Sequence, residues 1–152
     1  MSTTGLSLFD RTLQSTNIWL DEISSEIGPD RAVAWKVLST VLQALRDQLP
    51  VELAAHLGAQ LPLLVRGVYY DRFDPTVLPA SNRSDEEFMA DIQDNLSDIR
   101  PVGAQDAIAA VFGVLSRHVS QGQIDKVRRS LRKNIRDMWP DVPGPANASA
   151  AK

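Results

Sequence analysis

The sequence predicts an all-α protein, a single-domain bundle of about six to seven helices built from two similar halves. Apolar residues recur every three or four positions along most of the chain, as they do on the buried face of a helix. No segment alternates apolar and polar residues convincingly, so no strand is expected. A chain of 152 residues with a hydrophobic fraction of 43% fits one domain with an ordinary core.

Four helices are predicted in the first half, about residues 6–70. The first runs from Leu6 to Ile27 and ends at Gly28–Pro29, since glycine suits a helix end and proline cannot continue the helix. Asp30 is the N-cap of the second helix, and Pro62 separates the third helix from the fourth. The face of the first helix that is expected to be buried consists of Phe9, Leu13, Thr16, Leu20, Ile23 and Ile27.

A connector is predicted over residues 71–83, which contain two prolines, two aspartates and no sustained period. The second half, about residues 84–139, begins with a capping box. In this motif Ser84 accepts a hydrogen bond from a free backbone N–H, and Glu87 reaches back to the backbone of the serine. A fifth helix is therefore expected to start here.

The ends of the last three helices are marked by helix-breaking residues. The fifth helix is expected to stop at Arg100–Pro101, the sixth near Gly122 and the seventh at Pro140. Residues 1–139 are thus one helical domain. Residues 140–152 are small and rich in proline and alanine, so they are expected to form a disordered tail.

The two halves match at an offset of 70 residues. Six positions of the third and fourth helices then pair with apolar positions of the seventh, which favours an internal duplication. The pairs are Ala54 with Ile124, Leu57 with Val127, Leu61 with Leu131, Val65 with Ile135, Val68 with Met138 and Tyr69 with Trp139.

The run from Ala55 to Tyr70 resembles a bacterial family of helical proteins, the domain-of-unknown-function family numbered 2267. The stretch from Val111 to Trp139 is similar to the second half of that family, and the resemblance covers roughly Leu6 to Trp139. It implies a helical fold and no established activity. This sequence departs from the pattern at Ser130–Leu131–Arg132, where the first half has Gln60–Leu61–Pro62. Because the proline is missing, the seventh helix is expected to run unbroken.

No catalytic, cofactor or metal-binding residues are predicted. The sequence contains no phosphate-binding glycine loop and no nucleophile elbow. His56 and Glu52 lie one helical turn apart, but a metal site needs three or four ligands. His118 suits the end of its helix as a cation. Asp71 and Asp74 are ordinary turn formers.

Charge is segregated between two helices of the second half. An acidic line follows the fifth helix, and a basic face follows the seventh. The acidic line consists of Glu87, Asp91, Asp94 and Asp98, and the basic face of Arg129, Arg132, Lys133 and Arg136. Three interpretations stay open. The first is a pair of solvated faces, with or without bridges between them within the fold. The second is a docking surface for a protein partner or self-association, and the third is a phosphate-binding face for nucleic acid.

Aromatic residues at the ends of the two halves are a further candidate patch: Tyr69, Tyr70, Phe73 and Trp139. Such residues either close a core or form an interface. The formal net charge of −3 disfavours nucleic acid and membrane as partners, and no apolar run is long enough to span a bilayer. We therefore expect a cytoplasmic, non-enzymatic protein-interaction module. The alternatives are an anionic-ligand or nucleic-acid binder that uses the basic face, and an enzyme with an unrecognised site.

Overall fold

Eight α-helices make up most of the residues that the computed structural model describes, which are 4–80, 84–98 and 102–140. In chain order they are α1 (Ser7–Ile27), α2 (Arg31–Asp47), α3 (Val51–Ala59), α4 (Leu63–Tyr69), α5 (Asp85–Asn95), α6 (Ala104–His118), α7 (Gln121–Ser130) and α8 (Lys133–Arg136). A short 3-10 helix, Pro75–Val77, lies in the connector. The predicted all-helical bundle is confirmed, and the described ranges contain no strand.

Three of the predicted helix starts and stops have the expected local causes. Gly28 follows α1 with φ 117°, a conformation that side chains with a Cβ rarely adopt. Asp30 caps α2 by accepting a hydrogen bond from the backbone N–H of Val33 at 3.2 Å. Both halves of the capping box at Ser84 and Glu87 are present, at 3.1 and 2.8 Å. These signals act over three or four residues and need no tertiary contact.

The core lies around α2 and α6, the two most completely buried helices. These two helices pack against each other. One or both of them are also contacted by each of α1, α4, α5 and α7. Apolar side chains at three- and four-residue spacing line the α2 and α6 faces. Those without any exposed surface are Ala34, Val37, Leu38, Val41, Leu42 and Leu45 on α2, and Ala107, Ile108, Val111, Phe112, Val114 and Leu115 on α6.

The predicted inner face of α1 is partly wrong. Phe9 and Leu13 are 46% and 37% exposed, whereas Trp19, which the pattern had not placed inward, is 3% exposed. Burial along α1 starts at Thr12. The first turns of α1 therefore extend past the core, and the apolar side chains on them are only partly covered by the described fold.

The predicted ends of the last helices need correction. Helix α6 ends at His118, and Gly122 lies in the first turn of α7 instead of at a helix stop. Helix α5 ends at Asn95, earlier than predicted. Arg100–Pro101, the stop predicted for it, lies outside the described residues, as does the tail from residue 141 onward.

The prediction of an unbroken seventh helix is wrong. The chain leaves the helical conformation at Leu131 and Arg132, and α8 starts at Lys133. The backbone angles of Arg132, φ −61° and ψ 152°, are close to those of Pro62, φ −56° and ψ 151°. Leu131 is 4% exposed and Arg132 binds Asp85, so tertiary contacts impose in the second half the break that proline makes locally in the first.

The two halves have matching burial. Residues 61–70 and 131–140 show the same order of buried, intermediate and exposed positions, residue by residue. Of the six pairs at the 70-residue offset, five are buried on both sides and the pair Val68 and Met138 is half-buried on both. A common origin of the halves by duplication remains a prediction.

Trp139 is expected to be a principal stabilising residue of the second half. Its ring stacks on Phe112 with centroids 4.1 Å apart, and its Nε1 donates to the Ser116 hydroxyl. Replacing this buried ring by alanine should lower the free energy of unfolding by about 3–5 kcal/mol in urea denaturation. Val77→Ala, at a 58% exposed side chain, is the control. A loss below about 1 kcal/mol for Trp139→Ala would contradict this packing.

The helix break at Arg132 also predicts an unusual tolerance of proline. Because φ is already −61° there and Leu131 is extended, Arg132→Pro should be at least as stable as Arg132→Gln, which removes the same ion pair. In an unbroken helix, proline would instead cost about 3 kcal/mol more than glutamine. Urea denaturation of the two variants distinguishes these outcomes.

Candidate interaction surfaces

The four predicted basic residues do not follow one helix, because the break separates Arg129 on α7 from the other three. Arg132 is the residue that precedes α8, and its Nε donates to Asp85 Oδ1 at 2.7 Å. Lys133 is exposed and pairs with Asp137 Oδ2 at 2.7 Å, one turn later on the same surface. Arg132 is thus occupied by a contact within the fold.

Asp85 is the point where the acidic and basic helices meet. Its second oxygen, Oδ2, accepts from Asn134 Nδ2 at 2.8 Å, so two residues around the α8 start hold one carboxylate at the start of α5. The hydrogen bond from Arg132, joined by that from Asn134, keeps the pKa of Asp85 below its usual value, although burial works in the opposite direction. A bridge between the acidic and basic helices was one of the interpretations left open by the sequence, but Asp85 was not among the predicted residues, because its partner lies 47 residues away.

Four other bases in this region make no ion pair with any described residue: Lys126, Arg128, Arg129 and Arg136. We call them the basic surface. Lys126 and Arg129 are exposed, and Arg128 and Arg136 are half-buried. None of the four forms an ion pair within the described part of the chain, although the charge of Arg136, after the larger effect of the hydrogen bond from Lys133, helps to lower the pKa of Asp137.

The predicted acidic line has contacts of its own, away from the basic surface. Glu87 is used in the capping box of α5. Asp98 pairs with Lys36 of α2 at 3.8 Å. The backbone carbonyl of Asp94, not its carboxylate, accepts from the Ser97 hydroxyl at 2.7 Å. Asp91 lines a groove between α2 and α5. Of the acidic residues on α5, Asp85 makes the contact with the basic helices.

The aromatic candidates separate into two places. Tyr69 is buried and donates to the Ala54 carbonyl at 2.6 Å, and burial raises its pKa. Tyr70 meets both Tyr69 and Phe73 edge-on, at centroid distances of 5.0 and 5.3 Å. Gly58 of α3 lets the Tyr70 ring pack close to that helix, because a Cβ at Gly58 would lie 2.5 Å from the Tyr70 hydroxyl oxygen.

Trp139 lies at the corresponding end of the second half, where it packs on Phe112. Tyr69 and Trp139 are both buried. They close the core at the ends of the two halves and are not available to a partner. Tyr70 and Phe73 are half-buried, so the predicted four-residue patch does not form a single exposed surface.

A polar groove of about 650 Å³ was not predicted. It lies between α2, the end of α4 and α5, and its walls carry both signs of charge. The buried Arg46 supports its base: Nη1 donates to the carbonyls of Tyr69 and Asp71 at 2.7 and 2.8 Å, and Nε to Asp47 at 2.8 Å. The charged lining residues are Lys36, Arg46, Asp47, Asp71, Arg72 and Asp91.

The residues weighed for metal or acid–base chemistry have ordinary structural surroundings. His118 Nε2 and Arg117 Nε each lie 2.7 Å from a carboxylate oxygen of Glu22, and the His118 ring stacks on Trp19. This cluster joins α6 to α1. No group of three or more histidine, aspartate or glutamate side chains in the described ranges could hold a metal ion.

The remaining candidates from the sequence are isolated. Glu52 and His56 are exposed on α3. Asp74 caps the 3-10 helix, and hydrogen bonds from Thr76 lower the pKa of its carboxyl group. None of the helices in the described residues has the length and apolarity needed to cross a membrane.

The Asp85–Arg132 pair should stabilise the fold in a pH-dependent manner. Because the folded-state pKa of Asp85 is depressed, its contribution is present at pH values above the ordinary aspartate pKa, about 3.9. It is lost as the pH falls through the lower folded-state value. We expect Asp85→Asn to cost about 1 kcal/mol at neutral pH and progressively less below about pH 4.

Chemical denaturation across this pH range measures the effect. Asp137→Asn is the matched control, because it removes an exposed carboxylate from an ion pair within the α8 region. Its effect on unfolding should be smaller than that of Asp85→Asn. An Asp85→Asn deficit that stays constant from neutral to acidic pH would contradict the role of the charged carboxylate.

The chain matches one known protein family over most of its length. A family model described as "Uncharacterized conserved protein (DUF2267)" matches residues 16–138, which include α2–α8 and most of α1. The comparison with curated proteins gave no match. The family model spans well over half of the chain and agrees with the resemblance seen around Ala55 to Tyr70. The chain therefore belongs to the DUF2267 family of uncharacterized conserved proteins.

Proposed function

We propose that the protein is a non-enzymatic interaction module whose basic surface docks an acidic surface of a protein partner. The observation that carries the proposal is the lack of ion pairs at Lys126, Arg128, Arg129 and Arg136. The acidic helix α5 belongs to the same chain, yet its Asp85 contacts Arg132 and Asn134 and not these four bases. A complementary partner would supply the missing negative charge.

The position of Trp139 favours a protein partner over nucleic acid. Single-stranded nucleic acid is usually held by stacking of bases on exposed aromatic rings beside a basic groove. Trp139 is the aromatic residue nearest in sequence to the basic surface, but its ring is buried against Phe112. The net charge of −3 also opposes attraction to a polyanion.

The non-enzymatic part of the proposal is supported by the chemistry of the polar side chains. The Glu22 carboxylate is engaged by both Arg117 and His118, in a cluster that joins two helices. The groove between α2 and α5 mixes acids and bases, and its buried arginine is used on backbone carbonyls. A cytoplasmic setting is part of the proposal and comes from the sequence expectation alone.

Cross-linking in native lysate, followed by quantitative mass spectrometry, tests the proposal. A variant with Arg128, Arg129 and Arg136 changed to glutamine keeps the structural Arg132–Asp85 contact. We expect this variant to capture at least about tenfold less of the acidic proteins that the wild type captures. Added salt should weaken capture by the wild type. The control changes Arg31, Lys36 and Arg72 to glutamine, which removes the same charge elsewhere.

Two outcomes would overturn the proposal. Equal capture by the wild type and the basic-surface variant would remove the docking role of these residues. Capture that disappears after nuclease treatment, together with binding of labelled single-stranded or duplex oligonucleotides at low salt, would assign the surface to nucleic acid instead.

A further inference from the structure

Apolar side chains are exposed around the junction of α1 and α4. Six of the large apolar residues that the structure leaves exposed belong to the start of α1 or the start of α4, and each is 37–54% exposed. They are Leu6, Leu8, Phe9, Leu13, Leu63 and Leu64, and we call them the α1/α4 surface. The junction is fixed by a hydrogen bond from the Leu64 backbone N–H to Thr12 Oγ1 at 3.2 Å, and Leu8 and Leu63 line one groove.

The second half contains the same junction with different chemistry. Asn134 lies 70 residues after Leu64, and its side chain donates to Asp85, which lies 73 residues after Thr12. Lys133 and Asn134 are exposed, as are Leu63 and Leu64. The fold therefore accepts polar residues at these positions, and does not itself account for two neighbouring exposed leucines. A role outside the folded monomer explains them better.

The size of the α1/α4 surface suits an interface. Six side chains exposed to this degree present on the order of 500 Å², which is the size of the largest, often functional, patch on a monomer. Two such surfaces facing each other would bury roughly 1,000 Å², where specific protein interfaces begin. Covering them would also remove from water the apolar side chains that the first turns of α1 carry past the core.

The charges around this surface favour a second copy of the chain as the partner. Asp10 and Arg11 are adjacent on α1, between Phe9 and Leu13, and Arg66 lines the same groove as Leu8 and Leu63. A twofold contact would bring a surface with both signs of charge against itself, so like charges need not accumulate.

We propose that the α1/α4 surface is a self-association site through which two copies of the chain form a symmetric dimer. The contact is isologous: Phe9 and Leu13 of each copy pack with the Leu63–Leu64 corner or α1 of the other. This contact leaves the basic surface of each copy open. The dimer proposal therefore goes beyond the proposed function and does not depend on that function. The dimer would present two basic surfaces to a partner.

Sedimentation velocity of the full chain from low to high micromolar concentration tests the proposal. We expect a dimer fraction that rises with concentration in the wild type. The variant Leu63→Lys with Leu64→Asn installs the residues found at the matching positions of the second half, so the fold should accept it. It should weaken association by at least about tenfold, whereas Val51→Lys with Val77→Asn, at exposed apolar residues outside the surface, should not.

Disulfide formation provides a second measurement that does not depend on a destabilised variant. The chain has no cysteine, so a single introduced cysteine can form a disulfide only between copies. We expect Ser7→Cys, at the start of α1, to give a covalent dimer under mild oxidation much faster than Ser97→Cys in the second half. A wild type that stays monomeric throughout, or equal cross-linking at both positions, would overturn the proposal.

Discussion

The packing of α2 against α6 is the contact on which the rest of the bundle depends. Each of these helices is buried over most of its length, so each needs apolar neighbours on several sides. The first helix of each half supplies some of these neighbours, because α1 and α5 each contact both α2 and α6. Helix α4 adds cover to α2, and α7 to α6. Removing the central pair would leave the outer helices without a common apolar surface.

This arrangement explains why equivalent positions in the two halves can use different residues. A break in the chain is needed before the last short helix of each half, so that Val65 and Ile135 can point back into the core. Pro62 makes the break through its own ring. Arg132 has nearly the same backbone angles without a ring, and its side chain is held by Asp85. The packing requires the geometry and leaves the chemistry open.

The surfaces that remain differ between the halves for the same reason. In the second half, α5 and α8 are joined through the Asp85 carboxylate, which binds Arg132 and Asn134. In the first half, α1 and α4 are joined through Thr12, and the neighbouring leucines stay exposed. The first half thus carries an apolar surface and the second a basic one. If both surfaces bind as proposed, one would join two copies and the other would recruit an acidic partner, without competing for the same residues.

The sequence by itself determined the features that depend on neighbouring residues. The all-helical class, the cap at Asp30, the end at Gly28 and the capping box at Ser84 were predictable, because each is set by bonds or sterics within one turn. The apolar periodicity of the second helix also predicted its buried face correctly, since that helix lies within the core. The predicted residues, all without exposed surface, are Ala34, Val37, Leu38, Val41, Leu42 and Leu45.

Only the tertiary structure decided which apolar residues find partners and which charges are paired. Periodicity placed Phe9 and Leu13 inward, but burial also requires a neighbouring helix, and in the described fold these two side chains stay 46% and 37% exposed. The break at Leu131 and the pairing of Arg132 with Asp85 likewise depend on residues distant in sequence. Local bonding rules could not supply these features, because their energy comes from contacts that exist only once the helices have packed.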